Sequence, residues 1–430
     1  MTQRTIPVNS FGTAVPRQPR TSSTRRDPWW IPLGEAIGSL FGTAAPSPDE
    51  AATNLPREVL RDHDPAHHVE AGDSWVLSRF DDVFAAARDH ETFSSAEGLT
   101  FEYDERRKAG LTEAAPIVMM DPPEHTVVRR PIGRMLTPRS VAGLEPVIRA
   151  AARECVGRLR ALGTADFVDV VGKPLPGVAV AHLLGVPPEG RADLDRWTEA
   201  IVSGGDALSG AGGVKAAVLE LAVSFAALID ERRADRGTDV FSALLDAVDA
   251  GAPVSDAAML GVAFTMVAGG NDTMTGLLGG AAEWLTRRPR QRQVLVDDPG
   301  LIGGAVEELL RLSSPLQAIG RTATRDVELH GTVIPQGRKV LLLYGSANRD
   351  PREFGPDAED LDVRRCIDRL VAFGSGAHHC VGAAVARLQA RVAIEELLAT
   401  CPRFEVDLDA IEYAPGTVVR RPSAMPVAAG

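Results

Sequence analysis

The chain has 430 residues, 44% of them hydrophobic and 24% charged, which excludes disordered and fibrous classes and leaves a globular protein with room for a cofactor in its core. A formal net charge of −12 argues against a nucleic-acid binder, which needs clustered Lys and Arg. The longest apolar run, residues 257–270, is closed by Asn271 and Asp272 and falls short of the roughly 20 residues of a membrane span, so no integral membrane anchor is expected.

In chain order, residues 1–27 read as a disordered basic tail, with Arg4, Arg17, Arg20, Arg25 and Arg26 and no secretory signal; an organelle transit peptide shares that composition. For residues 28–430 length alone allows two or three domains. Residues 74–78 suit a strand, and residues 140–162 and 214–233 suit amphipathic helices. Between them, the glycines of residues 204–213 suggest a flexible connection, either a lid or a plain surface loop. A long apolar helix is expected over 256–285, then strands over 327–334 and 339–344, and a helix over 381–399. The fold class is therefore mainly α with small β-sheets.

Four places on this frame carry chemistry. His125 and Arg129, four residues apart, share a helix face and can converge on an anion, although a solvated basic face has the same spacing. Asp272 lies inside the apolar helix, where a carboxylate needs a partner or a proton-transfer role, and Thr273 beside it can hydrogen-bond an oxygen ligand or a water. Gly269 and Gly270 weaken that helix by roughly 0.5–1 kcal/mol each relative to Ala and leave room for a diatomic molecule, unless they serve helix packing. Glu308 and Arg311 are spaced to pair on one helix face. Cys155, Cys366, Cys380 and Cys401 show no close paired spacing, which argues against a disulfide framework or zinc ribbon and fits a reducing cytoplasm. Cys380 follows a glycine turn and precedes a helix. Backbone N–H groups and the helix dipole there favour a thiolate with a lowered pKa. A zinc ligand or an inert core cysteine is the competing reading.

Phe373-Gly374-Ser375-Gly376-Ala377-His378-His379-Cys380-Val381-Gly382 resembles the haem-binding loop of the cytochrome P-450 superfamily, F-x-x-G-x-x-x-C-x-G, at every fixed position. The resemblance extends from about residue 60 to residue 422, and it implies a single catalytic domain over residues 28–430. It includes Gly269-Gly270-Asn271-Asp272-Thr273 as the oxygen-activation motif, Glu308 and Arg311 as the structural ion pair, and Ala347-Asn348-Arg349-Asp350-Pro351. It implies haem b, an iron protoporphyrin, with Cys380 as axial thiolate and metal ligand. Phe373 then packs beside the sulfur, and Gly382 is implied as a further cofactor-binding residue. His125, Arg129 and His378 are implied as propionate ligands, and Arg321 as the ligand of the other propionate. Two departures stand out. Met274 replaces a frequent Thr or Ser, and Asp360 stands where the family usually has an Arg, leaving Arg364 or Arg365 as substitutes.

By the same resemblance the substrate pocket is walled by residues 96–119, 204–213, the Phe264 to Ala268 face, Leu316 to Ile319, and residues 417–419 with Val418. Glu102, Asp104 and Glu105 are placed to select a basic group. The implied activity is a monooxygenase that inserts one atom of O2 into a hydrophobic small molecule, by hydroxylation, dealkylation or epoxidation. Asp272 and Thr273 deliver the protons. NAD(P)H-derived electrons are expected through a ferredoxin and ferredoxin reductase, docking on a patch of Arg130, Arg134 and Arg387. The alternatives are a peroxide-driven peroxygenase, which often has Arg and Pro for the acid and alcohol, and a non-catalytic haem sensor or carrier.

Overall fold

In the computed structural model, which describes residues 57–105, 115–202, 213–414 and 418–430, the apolar run belongs to a 32-residue helix, Asp256–Arg287, called here the central helix. Ser255 caps it by accepting the Ala258 N–H at 3.2 Å. From Met274 to Thr286 every residue is buried. A helix buried on all sides must be enclosed by other elements. Helices Pro174–Leu184, Arg191–Val202, Gly213–Ala234 and Ile302–Ser313 all pack against it.

The helix after the cysteine, Ala383–Thr400, lies along Glu145–Leu162 and Ile302–Ser313. Arg149 holds the first contact from Glu145–Leu162, reaching Glu395 and Glu396 at 2.6 and 2.8 Å. Arg387 holds the second, reaching Glu307 at 2.6 and 2.9 Å.

The main sheet has five strands in the order Ala66–Val69, Ser74–Leu77, Lys339–Leu342, Ile319–Ala323, Phe93–Ser94. Only the Ser74–Leu77 and Lys339–Leu342 pair is parallel. One face carries a core of Trp75, Leu77, Phe80, Phe93, Val340 and Leu342, while Val76 and Leu341, on the alternate positions, belong to a second cluster with Leu60 and Phe101. Gly320 lets the preceding loop lie on the sheet: its N–H donates to the Leu99 carbonyl at 2.6 Å, and a Cβ there would stand 2.5 Å from the Thr100 carbonyl oxygen.

The mainly α class with small sheets is what the fold shows, with local differences. Residues 327–334 form a hairpin, Val327–Leu329 with Thr332–Ile334, because His330 and Gly331 turn the chain at φ of 52° and 76°. The strand at 339–344 stops at Leu342, and Tyr344 opens a short helix, Tyr344–Ala347. The helix read over 140–162 splits into Pro138–Val141, a tight turn and Glu145–Leu162. The basic tail at 1–27, and residues 204–212 of the glycine connection, lie outside the described residues. Among the described residues no helix is long and apolar enough to cross a membrane.

Candidate functional site

The cysteine loop is fixed from below by backbone. Gly374 and Gly376 adopt φ of 65° and 68°, a region that disfavours side chains, and a Cβ on Gly376 would stand 2.7 Å from Arg88 Cα. The loop therefore rests directly on helix Phe80–Arg88. The Cys380 N–H donates to the Phe373 carbonyl at 2.8 Å, and the Val371 N–H donates to the side-chain oxygen of buried Asn348 at 3.0 Å. Helix Ala383–Thr400 starts later than its sequence suggests, with Gly382 as its cap, so Cys380 precedes the cap.

Cys380 is exposed as a residue, while its thiol lies among the surrounding loops. Desolvation by the surrounding loops pushes its thiol up, against the Gly382 N–H, Arg129 and Arg387, which pull it down. Without a bound metal ion the net direction is upward, because desolvation outweighs the donors. The Arg387 guanidinium stands 4.6 Å above the half-buried Phe373 ring.

On the other side of the same loop, the His125 and His378 rings lie 4.4 Å apart. His125 is 1% exposed, and the Nε2 atoms of both rings are buried without a hydrogen-bond partner among the described residues. Burial, then Arg129, lowers His125 to about 4; burial, then Arg321 and His125, lowers His378 to about 3. Arg321 is 2% exposed, and its guanidinium has one hydrogen bond, to the Gly320 carbonyl at 2.8 Å, with no acid paired to it among the described residues. Asp121 acts electrostatically on both Arg321 and His125 without an ion pair to either among the described residues. Two buried imidazole nitrogens without a hydrogen bond and a buried guanidinium held by one carbonyl suit an incoming group that carries carboxylates. Arg129 departs from this set: its guanidinium donates to the His379 carbonyl and so braces the cysteine loop.

The central helix presents a narrow accessible face at Phe264, Thr265, Ala268, Gly269 and Thr273. The Thr273 hydroxyl donates to the Gly269 carbonyl at 2.7 Å. Asp272 is buried with an ion-pair partner that its sequence surroundings do not signal, Arg421 Nε at 2.8 Å from Oδ2. The two glycines separate. A Cβ on Gly269 would meet nothing within 4 Å, whereas one on Gly270 would stand 2.7 Å from Val180 Cγ2. Gly270 packs against helix Pro174–Leu184, the helix-packing alternative to an oxygen groove at that position.

Glu308 and Arg311 are fully buried and pair at 2.7 and 2.8 Å. Arg365 adds a third member through Nε, 3.2 Å from Glu308 Oε1.

Of the expected pocket walls, residues 106–114, 204–212 and 417 lie outside the described residues. Leu316 bridges to Val419, and the Gln317 N–H donates to the Val418 carbonyl at 2.7 Å, so two of these walls are one surface. Ile319 and Leu316 pack on one core cluster and Val418 on the other. A cavity of about 390 Å³ lies between Ala96, Ala115, Met119, Met120 and the first turn of the central helix. Glu105 is not free to select a substrate: one carboxylate oxygen accepts the Leu99 N–H, the Thr100 N–H and the Thr100 hydroxyl at 2.7 to 2.9 Å. Among the described residues no group of three or more His, Cys, Asp or Glu side chains is placed to hold a metal ion.

A family model described as Cytochrome P450 matches residues 301–423. The chain is 51% identical over 376 residues to Cytochrome P450 130 of Mycobacterium tuberculosis, covering 86% of this chain and 93% of that relative. It is 35% identical to the Vitamin D(3) 25-hydroxylase of Pseudonocardia autotrophica, covering 86% and 92%. Among solved structures, a Mycobacterium marinum cytochrome P450 in complex with pseudoionone superposes with a TM-score of 0.79 at 31% identity, over 90% of this chain and 96% of that one.

Proposed function

The chain belongs to the cytochrome P450 family of haem-thiolate enzymes, and from that premise we propose that it is a monooxygenase acting on a hydrophobic small molecule, with haem b held by Cys380. The net reaction is RH + O2 + 2 electrons + 2 protons → ROH + H2O. When bound, the haem iron supplies the activation of O2. The observation that carries the reading is the set of buried groups short of partners beside the cysteine loop: His125 Nε2 and His378 Nε2, which have no hydrogen bond, and Arg321, which has one carbonyl and no ion pair among the described residues. Haem propionates are carboxylates of the kind these groups require.

Each residue then has a task. Cys380 would hold the haem iron through its sulfur as a thiolate, and a metal cation there would favour the deprotonated form against the desolvation of the thiol. Arg129 fixes the loop that carries it. The Thr273 hydroxyl, on the accessible face of the central helix, holds oxygen or water, and Asp272 relays protons towards it. An intact acid and alcohol support reductive use of O2 over peroxide chemistry. Gly269 keeps that face open.

Electrons come from NAD(P)H through a separate ferredoxin and its reductase, and the chain works in the cytoplasm. Arg130 and Arg134 are exposed and without an ion-pair partner among the described residues, which suits them to dock an acidic donor; Arg387 is already paired with Glu307. For the substrate, one relative is a vitamin D(3) hydroxylase and one structural neighbour holds pseudoionone, both consistent with an apolar ligand.

The test is the carbon monoxide difference spectrum of the dithionite-reduced holoprotein. A thiolate-type Soret band that is lost in Cys380→Ala supports the reading, and a well-folded holoprotein without the band overturns it. Product formation with peroxide alone would favour the peroxygenase instead.

A further inference from the structure

We propose that Arg421 is the positioning residue of Asp272, setting the geometry of the helix turn that carries the acid and alcohol; this rests on the monooxygenase reading above. The Arg421 Nε donates to Asp272 Oδ2 at 2.8 Å, and the two side chains are 5% and 10% exposed. Arg421 has no other side-chain partner among the described residues. A buried guanidinium and a buried carboxylate on the apolar central helix hold each other in place, because separating them strips the Arg421 guanidinium of its carboxylate inside the protein.

The backbone around this pair is built to keep it. Asp272, Gly276, Gly279 and Glu283 recur at helical spacing on one face of the central helix. The segment that carries Arg421 lies flat along that face. A Cβ on Gly276 would stand 2.5 Å from the Arg420 carbonyl oxygen, and one on Gly279 would stand 2.6 Å from Pro422 Cγ. Glu283, 0% exposed, ties down the far end, accepting the Tyr413 hydroxyl at 2.7 Å and Arg420 Nη2 at 3.3 Å. The near end is tied to the pocket wall, since the Arg420 N–H donates to the Pro315 carbonyl at 2.7 Å.

Consecutive arginines therefore clamp two carboxylates of one helix. Only the Arg421 clamp falls on the turn where Thr273 donates to the Gly269 carbonyl. Arg420 acts three turns away on Glu283 and serves as an internal control for a merely structural strap.

The experiment uses holoprotein and carbon monoxide as the probe, read by the infrared C–O stretch of the reduced complex, which senses the polar groups facing the ligand without any substrate or turnover. Asp272→Asn and Arg421→Gln are expected to shift or split the band alike, and the double variant to match either single one. Arg421→Lys is expected to restore the wild-type band, and Arg420→Gln to leave it unchanged. A wild-type band in folded Arg421→Gln, or in Asp272→Asn, overturns the proposal. So do additive shifts in the double variant, or an equal shift from Arg420→Gln. If Arg421→Gln does not fold, the double variant, which buries no lone charge, is compared with Arg421→Lys. A shifted band in the double variant and a wild-type band in the Lys variant support the proposal; the same band in both overturns it. Absence of a thiolate-type Soret band in the wild type marks failure of the underlying reading instead.

Discussion

Arg365 Nε lies 3.2 Å from Glu308 Oε1, the carboxylate that Arg311 already holds at 2.7 and 2.8 Å. The ion network below the cysteine loop is thus complete without an arginine at position 360. The Asp360 carboxylate turns instead to Arg288 at 3.2 Å. Arg311 spends its remaining donors on the Asn348 and Ala358 carbonyls at 2.8 and 2.6 Å, which ties helix Ile302–Ser313 to the segment leading into the loop.

The network should therefore fail unequally. Glu308→Gln strands the fully buried Arg311 guanidinium, a loss of about 3–5 kcal/mol. Arg365→Met removes a side chain that is 13% exposed and leaves Glu308 with Arg311 and the Asp362 N–H, so about 1–2 kcal/mol is expected. Urea unfolding of the two variants measures this, and equal losses would contradict a shared network with Arg311 at its centre.

Arg321 predicts opposite signs for stability and cofactor retention. In the protein without haem its guanidinium is buried with one carbonyl as hydrogen-bond partner, and Asp121 acts on it without an ion pair among the described residues, an arrangement that is costly to keep. Arg321→Leu should leave the haem-free protein as stable as wild type or more so, while speeding haem transfer to apomyoglobin about tenfold or more through loss of a charged hydrogen bond. A variant that unfolds more easily yet keeps its haem would show that Arg321 serves the fold alone.

His125 gives the pH dependence. Its folded-state pKa is lowered from 6.5 to about 4, so above pH 6.5 neither the folded nor the unfolded chain binds this proton. As pH falls from 6.5 towards 4, the unfolded chain takes the proton and the folded chain resists it, so stability declines through that window, by about 2 kcal/mol at pH 5. Unfolding midpoints of haem-free protein at pH 7.5 and 5 should differ less in His125→Gln than in wild type. With haem bound, a propionate facing the imidazole favours its protonated form, and the decline should be weaker.

Legibility followed sequence distance. The cysteine loop could be read because its glycines, His378 and Cys380 are contiguous and each is demanded by local backbone or local chemistry. Arg365 was narrowed only to a choice with Arg364, which the turn decides: Arg364 is exposed, while Arg365 reaches inward to Glu308. Arg421 was invisible, because its partner Asp272 is 149 residues away and nothing in either neighbourhood marks the pairing. Strands such as Phe93–Ser94 are too short to show any alternation.

Gly269 and Gly270 are adjacent in sequence but should respond oppositely to alanine. At Gly269 the added methyl meets nothing within 4 Å, so Gly269→Ala gains about 0.5–1 kcal/mol of helix propensity. At Gly270 it would stand 2.7 Å from Val180 Cγ2, and overpacking there costs about 1–3 kcal/mol, more than the propensity returns. Function should follow the reverse order. The methyl of Gly269→Ala projects from the accessible face beside Thr273, whose hydroxyl bonds the residue 269 carbonyl, and should weaken carbon monoxide binding to the reduced holoprotein several-fold. Gly270→Ala, facing helix Pro174–Leu184, should lower the urea midpoint with carbon monoxide affinity nearly unchanged. If both variants lose stability alike, the two glycines serve packing alone, and the accessible face is not the one on which a gas ligand sits.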